Sequence, residues 1–206
     1  MALDGTYSGL KASITDWLMR EDLTAAIPDF ITLAGKRAAR KLRVADMETV
    51  ATGALVDGTA ALPSDFIELR RVLDIGSARN GVLEQITPTS AGVDYQYSNG
   101  GIPHDFTITG NSITTYPSAG NGSLTILYYA APSVLSDAVP SNWLLIKAPE
   151  VYLYGALIES APYLGDDNRV GVWGTLFNQA CDALQVVDER ARFGRMVSRV
   201  NPKYLP

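Results

Sequence analysis

The chain has 206 residues, of which 47% are apolar and 19% are charged, and its formal net charge at pH 7 is −5. This composition is typical of a globular domain with a sizeable core, and it excludes a chain that is mostly disordered or collagen-like. The longest apolar run covers residues 151–158, far fewer than the roughly 20 residues of a membrane span. The first residues lack the basic and apolar regions of a signal peptide, so we expect neither a secreted nor a membrane-embedded protein.

The counts of cysteine and histidine narrow the possible chemistry. Cys181 is the single cysteine and His104 the single histidine. A disulfide within the chain, a cysteine-cluster zinc site and a pair of histidine metal ligands are therefore excluded. Most common hydrolase and metalloenzyme mechanisms lose the residues that they need.

Charge is distributed unevenly along the chain. The net charge is +2 for residues 1–43, −12 for residues 44–189 and +5 for residues 190–206. The acidic middle argues against a nucleic-acid-binding surface, because phosphate binding depends on clustered Lys and Arg. The basic end contains two prolines, which do not fit inside a helix, and it predicts an extended arm. A solvated chain end is the alternative.

Two helices are predicted in the first 45 residues. The first covers residues 8–19, with Ser8 as a candidate N-cap. The second runs from Ile27 to about Arg43, with Pro28 in its first turn. Five basic residues lie near the end of this second helix, either as a solvated face beside the negative end of the helix dipole or as a docking surface. They are Lys36, Arg37, Arg40, Lys41 and Arg43.

From about residue 46 the hydrophobic period changes to two, which is typical of strands joined by tight turns. Thr87 and Pro88 then suit the cap and the first turn of a short helix. Short turns rich in Gly and Asn separate the last three strands, which therefore look like an antiparallel meander. The predicted strands cover residues 47–52, 59–62, 69–75, 105–109, 112–116 and 123–129.

Helices return in the C-terminal third. One helical turn is predicted at residues 143–146. Residues 149–161 are apolar nearly all round, which predicts a buried helix that Pro162 should end. The acidic residues 166–167 favour the start of a final helix. Its predicted packed stripe comprises Trp173, Leu176, Phe177, Ala180, Leu184 and Val187.

The order of helices, strands and helices predicts an α+β fold. We expect the N- and C-terminal helices to pack into one bundle. A small antiparallel β lobe is inserted between them, and an extended basic arm follows. The expected parts are residues 1–45, 46–135, 136–192 and 193–206.

Few residues suggest a catalytic site. His104 and Asp105 are adjacent, but neighbours along a strand point to opposite faces and cannot form an orienting pair. Cys181 falls in the packed segment of the final helix and is interpreted as a small buried hydrophobic residue. Asp65 and Glu68 have a spacing that places two carboxylates on one helical turn, as a glycosidase pair would require. A turn before a strand explains these two residues better.

Several segments carry a resemblance to a known family. They are residues 17–23 (WLMREDL), 27–34 (IPDFITLA), 40–43 (RKLR), 61–70 (ALPSDFIELR), 148–157 (APEVYLYGAL), 163–167 (YLGDD), 172–173 (VW) and 188–194 (DERARFG). In this order and spacing the chain resembles the head-to-tail adaptor, or connector, proteins of tailed bacteriophages. That group includes the portal-closing and tail tubular adaptors. The resemblance spans roughly residues 7–195.

The resemblance implies a structural virion protein with no catalytic role and no cofactor. Such proteins form a ring, typically of twelve copies, between the portal and the tail. The implied partners are the portal protein, a tail or nozzle protein and further copies of the chain, while DNA passes through the channel without specific binding. The implied location is the head–tail junction of the virion, after assembly in the host cytoplasm.

The basic residues are the candidate contacts. In such adaptors the C-terminal helix and tail reach the portal, so the predicted portal-binding residues are Arg190, Arg192, Arg195, Arg199, Lys203 and Tyr204. A ring needs two complementary faces, which the basic helix stripe and the acidic lobe would supply. The predicted ring-interface residues are Lys36, Arg37, Arg40, Lys41 and Arg43.

Two alternatives stay open. A cell-wall hydrolase of the muramidase type would depend at best on Asp65 and Glu68. A carbohydrate-binding tail module would need exposed aromatic residues on the strand lobe, such as Tyr95, Tyr97 and Tyr116.

Overall fold

The computed structural model describes residues 3–74, 83–95, 101–118, 120–165 and 169–193. Within these ranges, helices come first, strands follow and helices return, which confirms the predicted α+β fold. The chain divides into two compact units. The helical unit combines residues 1–45 with residues 133–206, and the β unit comprises residues 46–132.

The described elements are six helices and seven strands. The helices are α1 (Tyr7–Leu18), α2 (Ile27–Lys41), α3 (Pro88–Asp94), α4 (Trp143–Lys147), α5 (Pro149–Leu164) and α6 (Val170–Phe193). The strands are β1 (Glu48–Leu55), β2 (Thr59–Ala61), β3 (Phe66–Asp74), β4 (Glu84–Gln85), β5 (Asp105–Thr109), β6 (Ser112–Tyr116) and β7 (Gly122–Ala130).

The ends of α1 and α2 differ slightly from the prediction. The N-cap of α1 is Thr6, whose side-chain oxygen accepts a hydrogen bond from the Gly9 amide at 3.1 Å. The prediction of Ser8 as the cap is wrong, because Ser8 already lies inside the first helical turn. Helix α2 begins with Pro28 in its first turn, as predicted, and ends at Lys41, since Leu42 is extended.

Helix α5 is the centre of the helical unit. Its buried residues include Val151, Tyr152, Ala156 and Leu157, each no more than 2% exposed, which confirms the predicted buried helix. It packs against α1, α2, α4 and α6. The prediction that Pro162 ends this helix is wrong, because α5 continues to Leu164. Proline removes one hydrogen bond of a helix, and so close to the helix end this loss affects only the last turn.

Helix α6 packs through a stripe that differs in one position from the prediction. Trp173, Phe177 and Ala180 are buried as expected, but Val187 is 62% exposed. The side chain of Asp188, which is only 13% exposed, lies at the inward position of that turn. In the last turn of the predicted stripe, the inward position is therefore occupied by Asp188, one residue after the predicted Val187. The predicted start of the helix at Asp166 and Asp167 lies outside the described residues.

Asn142 ties the loop before α4 to the helical core. Its side-chain oxygen accepts a hydrogen bond from the Leu145 amide at 2.9 Å, which caps α4. Its side-chain amide donates to the Ser133 carbonyl at 2.7 Å and to the Tyr152 hydroxyl at 2.8 Å. A buried amide with all these partners carries no desolvation penalty for unmade hydrogen bonds. It fixes where the chain re-enters the helical unit.

The β unit contains two sheets, with strand orders β1-β7-β3 and β2-β6-β5-β4. The predicted meander of the last three strands is wrong: β5 and β6 form an antiparallel pair, but β7 lies between β1 and β3 in the other sheet. Strand β7 is buried along most of its length on both faces, as expected for the central strand of the β1-β7-β3 sheet. The lobe is also not purely antiparallel, because β4 pairs with β5 in parallel.

One apolar core joins the two sheets. Its members are supplied by strands of both sheets and by the segments that connect them. Among the described residues they include Leu55, Leu62, Val72, Leu83, Phe106, Ile113, Leu124, Ile126 and Tyr128. The β unit therefore has a core of its own, as an independently packed unit requires.

The packing of α2 on α5 predicts a matched pair of glycine substitutions. A Cβ atom at Gly155 of α5 would lie 2.8 Å from the Ala34 Cβ of α2, whereas one at Gly174 of α6 would have no neighbour within 4 Å. Alanine raises helix propensity at both sites by about 1 kcal/mol, but overpacking costs about 1–3 kcal/mol. Gly174→Ala should therefore stabilise the protein, and Gly155→Ala should be about 1–3 kcal/mol less stable than Gly174→Ala. Equilibrium urea unfolding measures the difference, and equal stabilities would contradict this packing.

Candidate functional site

Three of the five basic residues near the end of α2 are engaged inside the helical unit. Arg37 Nε lies 2.6 Å from the Glu159 carboxylate of α5. Lys41 Nζ lies 2.9 Å from Asp182 and 2.9 Å from the side-chain oxygen of Asn178, both on α6. Arg43 Nη1 donates to the carbonyl oxygens of Ala39 at 3.0 Å and Leu42 at 2.6 Å. These three cations therefore hold helices together or cap the end of α2.

The other two basic residues, Lys36 and Arg40, face solvent. Within the described part of the chain, neither has a side-chain hydrogen bond or an ion pair. They lie one helical turn apart and share a helix face with Asp29 and with Leu33, which is 44% exposed. We call these four residues the outer face of α2. Helical spacing predicts Arg37 and Lys41 on the flank of the helix and Lys36, Arg40 and Arg43 on the side opposite the packed stripe. It did not separate Arg43, which binds the end of α2, from the two cations that face solvent.

The predicted portal-binding set begins at the end of α6. Arg190 and Arg192 are helical, because α6 continues to Phe193. Arg192 Nε lies 2.7 Å from the Asp188 carboxylate, and Asp188 also accepts a hydrogen bond from the Ala45 amide at 2.9 Å. Arg190 is exposed. The other predicted residues of this set, Arg195, Arg199, Lys203 and Tyr204, lie outside the described residues.

The β unit is acidic. Its sequence contains nine acidic and three basic residues, a net charge of −6 without His104. Glu84 lies opposite Asp105 in the β4–β5 register, and Asp94 ends α3 beside Tyr95. Glu84 and Asp94 are exposed, and neither has a cationic partner among the described residues. We call Glu84, Asp94 and Asp105 the acidic edge of the β unit.

Tyr95 bridges His104 and Asp105. The prediction that these two neighbours point to opposite faces is wrong: His104 Nε2 lies 3.8 Å from Asp105 Oδ2, because His104 precedes β5 and does not follow the alternation of the strand. The Tyr95 hydroxyl donates to Asp105 Oδ2 at 2.5 Å and lies 2.7 Å from His104 Nε2. The hydrogen bond to Asp105 is the main reason why the pKa of Tyr95 is raised to about 12. The phenol therefore stays protonated near neutral pH and acts as a hydrogen-bond donor. Nothing in the local sequence indicated this contact, because Tyr95 comes from a different element.

Two of the aromatic residues proposed for carbohydrate binding cover each other. The rings of Tyr95 and Tyr116 stack with centroids 5.5 Å apart and an interplanar angle of 28°. Each ring therefore has one face in contact with its neighbour. Tyr97 lies outside the described residues.

Asp65 and Glu68 do not lie on one helical turn. Asp65 is in the turn before β3, and Glu68 is in the strand itself. The Tyr128 hydroxyl donates to Asp65 Oδ1 at 2.9 Å. Burial, and then this hydrogen bond, raise the pKa of Tyr128 to about 12. Asp65 therefore anchors the central strand β7, which agrees with the prediction of a turn residue before a strand.

Cys181 is fully buried in α6, as predicted. Burial raises the pKa of its thiol to about 11, so the reactive thiolate is scarce near neutral pH. In the described ranges, no group of three His, Cys, Asp or Glu residues could hold a metal ion. The same ranges contain no helix with the length and apolar character for crossing a bilayer.

A pocket of the β unit is lined by apolar residues. It has a volume of about 130 Å³ and lies between β1 and the segment from β2 to Pro63, with side chains of β6 and β7 around it. Its most polar side chain is Thr52, whose hydroxyl is 2.9 Å from the Thr125 hydroxyl. The walls include Ala51, Gly53, Ala60, Ala61, Leu62, Ile113, Leu124 and Ile126. These residues supply no acid, base or activated nucleophile.

The described residues form an α+β fold in which cations of α2 pair within the helical unit and the β unit carries an excess of acidic residues. A comparison with protein families identifies the class of protein to which this fold belongs. The sequence profile described as SU10 adaptor protein matches residues 5–201, and the chain belongs to this family of bacteriophage structural proteins. The resemblance to phage head-to-tail adaptors is thereby confirmed. No curated protein matches the sequence.

The burial of Tyr128 and its hydrogen bond to Asp65 predict a dependence of stability on alkaline pH. The pKa of Tyr128 is raised from 10 to about 12 in the folded protein, so the folded state holds this proton more tightly than the unfolded state. The resulting stabilisation is complete below pH 10 and is lost as the pH rises through 12. Tyr128→Phe should therefore lose less stability over this interval than the wild type in urea unfolding.

Replacing the carboxylate tests the cause of the shift. Asp65→Asn should lower the Tyr128 pKa towards 10, because Asp65 raises that pKa by a hydrogen bond and by its charge. Titration of phenolate absorbance measures this pKa, with Tyr128→Phe identifying the signal. Glu68→Gln is the control and should leave the pKa unchanged. An equal effect of both substitutions would contradict the assignment.

Proposed function

We propose that this protein is a head-to-tail adaptor that forms a ring between the portal and the tail and continues the DNA channel. Membership of the SU10 adaptor protein family over residues 5–201 is the observation that carries the proposal. We propose that it works without catalysis and without a cofactor, through its surfaces alone. Its place would be the head–tail junction of the virion, after assembly in the host cytoplasm.

The basic C-terminal end is the proposed portal contact. Arg192 forms an ion pair with Asp188, and Asp188 accepts a hydrogen bond from the Ala45 backbone amide. This pair fixes the end of α6, which includes Arg190, to the helical unit. We assign portal binding to Arg190, Arg192, Arg195, Arg199, Lys203 and Tyr204, with Arg192 as the anchor.

The ring is proposed to contain twelve copies joined through two different faces. A closed ring needs a heterologous contact, in which one surface of each copy binds another surface of the next. The basic end of α2, with Lys36, Arg37, Arg40, Lys41 and Arg43, is the proposed location of one face. The acidic residues of the chain favour a channel wall from which DNA phosphates are repelled. The tail or nozzle protein would bind the opposite side of the ring.

Portal binding is tested by removing the basic end. A chain that ends at Glu189 should fail to bind portal rings purified from the same phage, whereas the full chain should bind them in sedimentation velocity. Because the truncation also removes Arg192, a full-length variant with Arg195→Glu, Arg199→Glu and Lys203→Glu separates the charge effect from the loss of the anchor. This variant should bind at least about tenfold more weakly, because like charges replace attractive ones.

A charge reversal elsewhere serves as the control. Arg71 is exposed on β3, and Arg71→Glu should leave portal binding unchanged. Raising the salt concentration should weaken the wild type more than the triple variant, because screening acts on exposed charges. Equal portal binding by the full chain and the truncated chain would contradict the assigned contact. Absence of binding by the full chain would contradict the adaptor function.

A further inference from the structure

We propose that the outer face of α2 in one copy of this chain docks on the acidic edge of the β unit in the next copy. Lys36 and Arg40 supply the positive charges, Leu33 supplies an apolar contact, and Glu84 and Asp94 supply the negative charges. This inference rests on the proposed ring and names its contact. It also narrows the proposed basic face to two of its five members.

The choice of cations follows from the charges that the fold leaves unpaired. Arg37, Lys41 and Arg43 already have partners within the helical unit at 2.6 to 3.0 Å. Moving them to an intermolecular contact would break these interactions. Lys36 and Arg40 have no such partner in the part of the chain that the structure describes. A second copy can therefore pair with these two cations without breaking an interaction within the first copy.

The outer face of α2 also has the form of a contact surface. Lys36 and Arg40 are four residues apart, so they lie about 6 Å apart along the helix axis at 1.5 Å per residue. Leu33 lies one turn before Lys36 and is 44% exposed. Leu33 can pack against apolar groups of the partner surface while the long side chains of Lys36 and Arg40 extend to its carboxylates. Residues Leu33 to Arg40 thus form one contiguous strip.

The same reasoning identifies the acidic edge. Asp65 accepts the Tyr128 hydroxyl, Glu48 lies 3.6 Å from Arg70, and Asp105 accepts the Tyr95 hydroxyl. Glu84 and Asp94 are exposed and have no cationic partner among the described residues. They flank the Tyr95–Asp105 bond, which holds α3 against the start of β5. Two unpaired carboxylates on a fixed support therefore complement two unpaired cations.

The symmetry of the assembly decides how often the two surfaces meet. In a closed ring the contact is heterologous, so the outer face of α2 in one copy meets the acidic edge of the next copy once at each interface. In a two-fold dimer the same two surfaces would meet twice across one interface. The number of copies bound to each portal ring separates these two arrangements.

The experiment uses two complementary full-length variants. The first, Lys36→Glu with Arg40→Glu, makes the outer face of α2 acidic. The second, Glu84→Lys with Asp94→Lys, makes the acidic edge basic. Each variant alone places like charges at every contact between copies, whereas an equal mixture can alternate around a ring with an even number of copies and restore opposite charges. Native mass spectrometry on portal rings counts the copies bound.

Each variant alone should bind its neighbours at least about tenfold more weakly and leave portal rings partly loaded, while the mixture should load them as the wild type does. A control with Asp16→Lys and Glu21→Lys changes the charge equally at exposed positions of the helical unit and should load normally. Restored loading by the mixture also shows that both variants are folded.

Three results would overturn the inference. Normal loading by either variant alone would show that its surface makes no contact between copies. Impaired loading by each variant without recovery in the mixture would show that the two surfaces do not meet, while portal binding by single copies would leave the adaptor function standing. Failure of the wild type to bind portal rings would remove both the inference and the function on which it rests.

Discussion

The burial of α5 is the constraint on which the helical unit depends. A helix that is apolar nearly all round needs neighbours on every side, and α5 obtains them from α1, α2, α4 and α6. Because α1 and α2 precede the β unit in sequence while the others follow it, burying α5 brings the N-terminal and C-terminal helices together. The β unit is then an insertion with a core of its own. At Gly155 the backbones of α5 and α2 approach closely enough that a methyl group on Gly155 would collide with Ala34.

Packing around α5 also determines which cations of α2 form ion pairs within the helical unit. The cations on the inner flanks of α2 pair with α5 and α6, as Arg37 does with Glu159 and Lys41 with Asp182. The exposed cations of α2, Lys36 and Arg40, have no partner among the residues that the structure describes. A partly buried ion pair contributes to stability through its geometry and its hydrogen bonds, whereas an exposed charge is available to another molecule. The division between paired and exposed cations of α2 is therefore a consequence of helix packing.

Much of the fold could be predicted from periodicity. The helices α1, α2, α4 and α5, the cap of α3 by Thr87 and most strands lie close to their predicted positions, because local apolar spacing determines them. The pairing of β7 with β1 and β3 could not be predicted, because it depends on contacts distant in sequence. The same limit applies to the sites. Sequence located the basic residues of α2, but only the positions of Glu159, Asp182 and Tyr95 show which charges are already used.

The two units of the chain carry different patterns of charge. In the helical unit, Arg37 and Lys41 form ion pairs with carboxylates of α5 and α6. The β unit has an excess of acidic residues. Such an excess repels a second β unit, which disfavours aggregation of free copies through like surfaces. Opposite charges on two units of one chain make unlike surfaces attractive instead. Charge asymmetry along the sequence therefore favours contacts between unlike surfaces, and Lys36 and Arg40 stay exposed while Arg37, Lys41 and Arg43 bind within the helical unit.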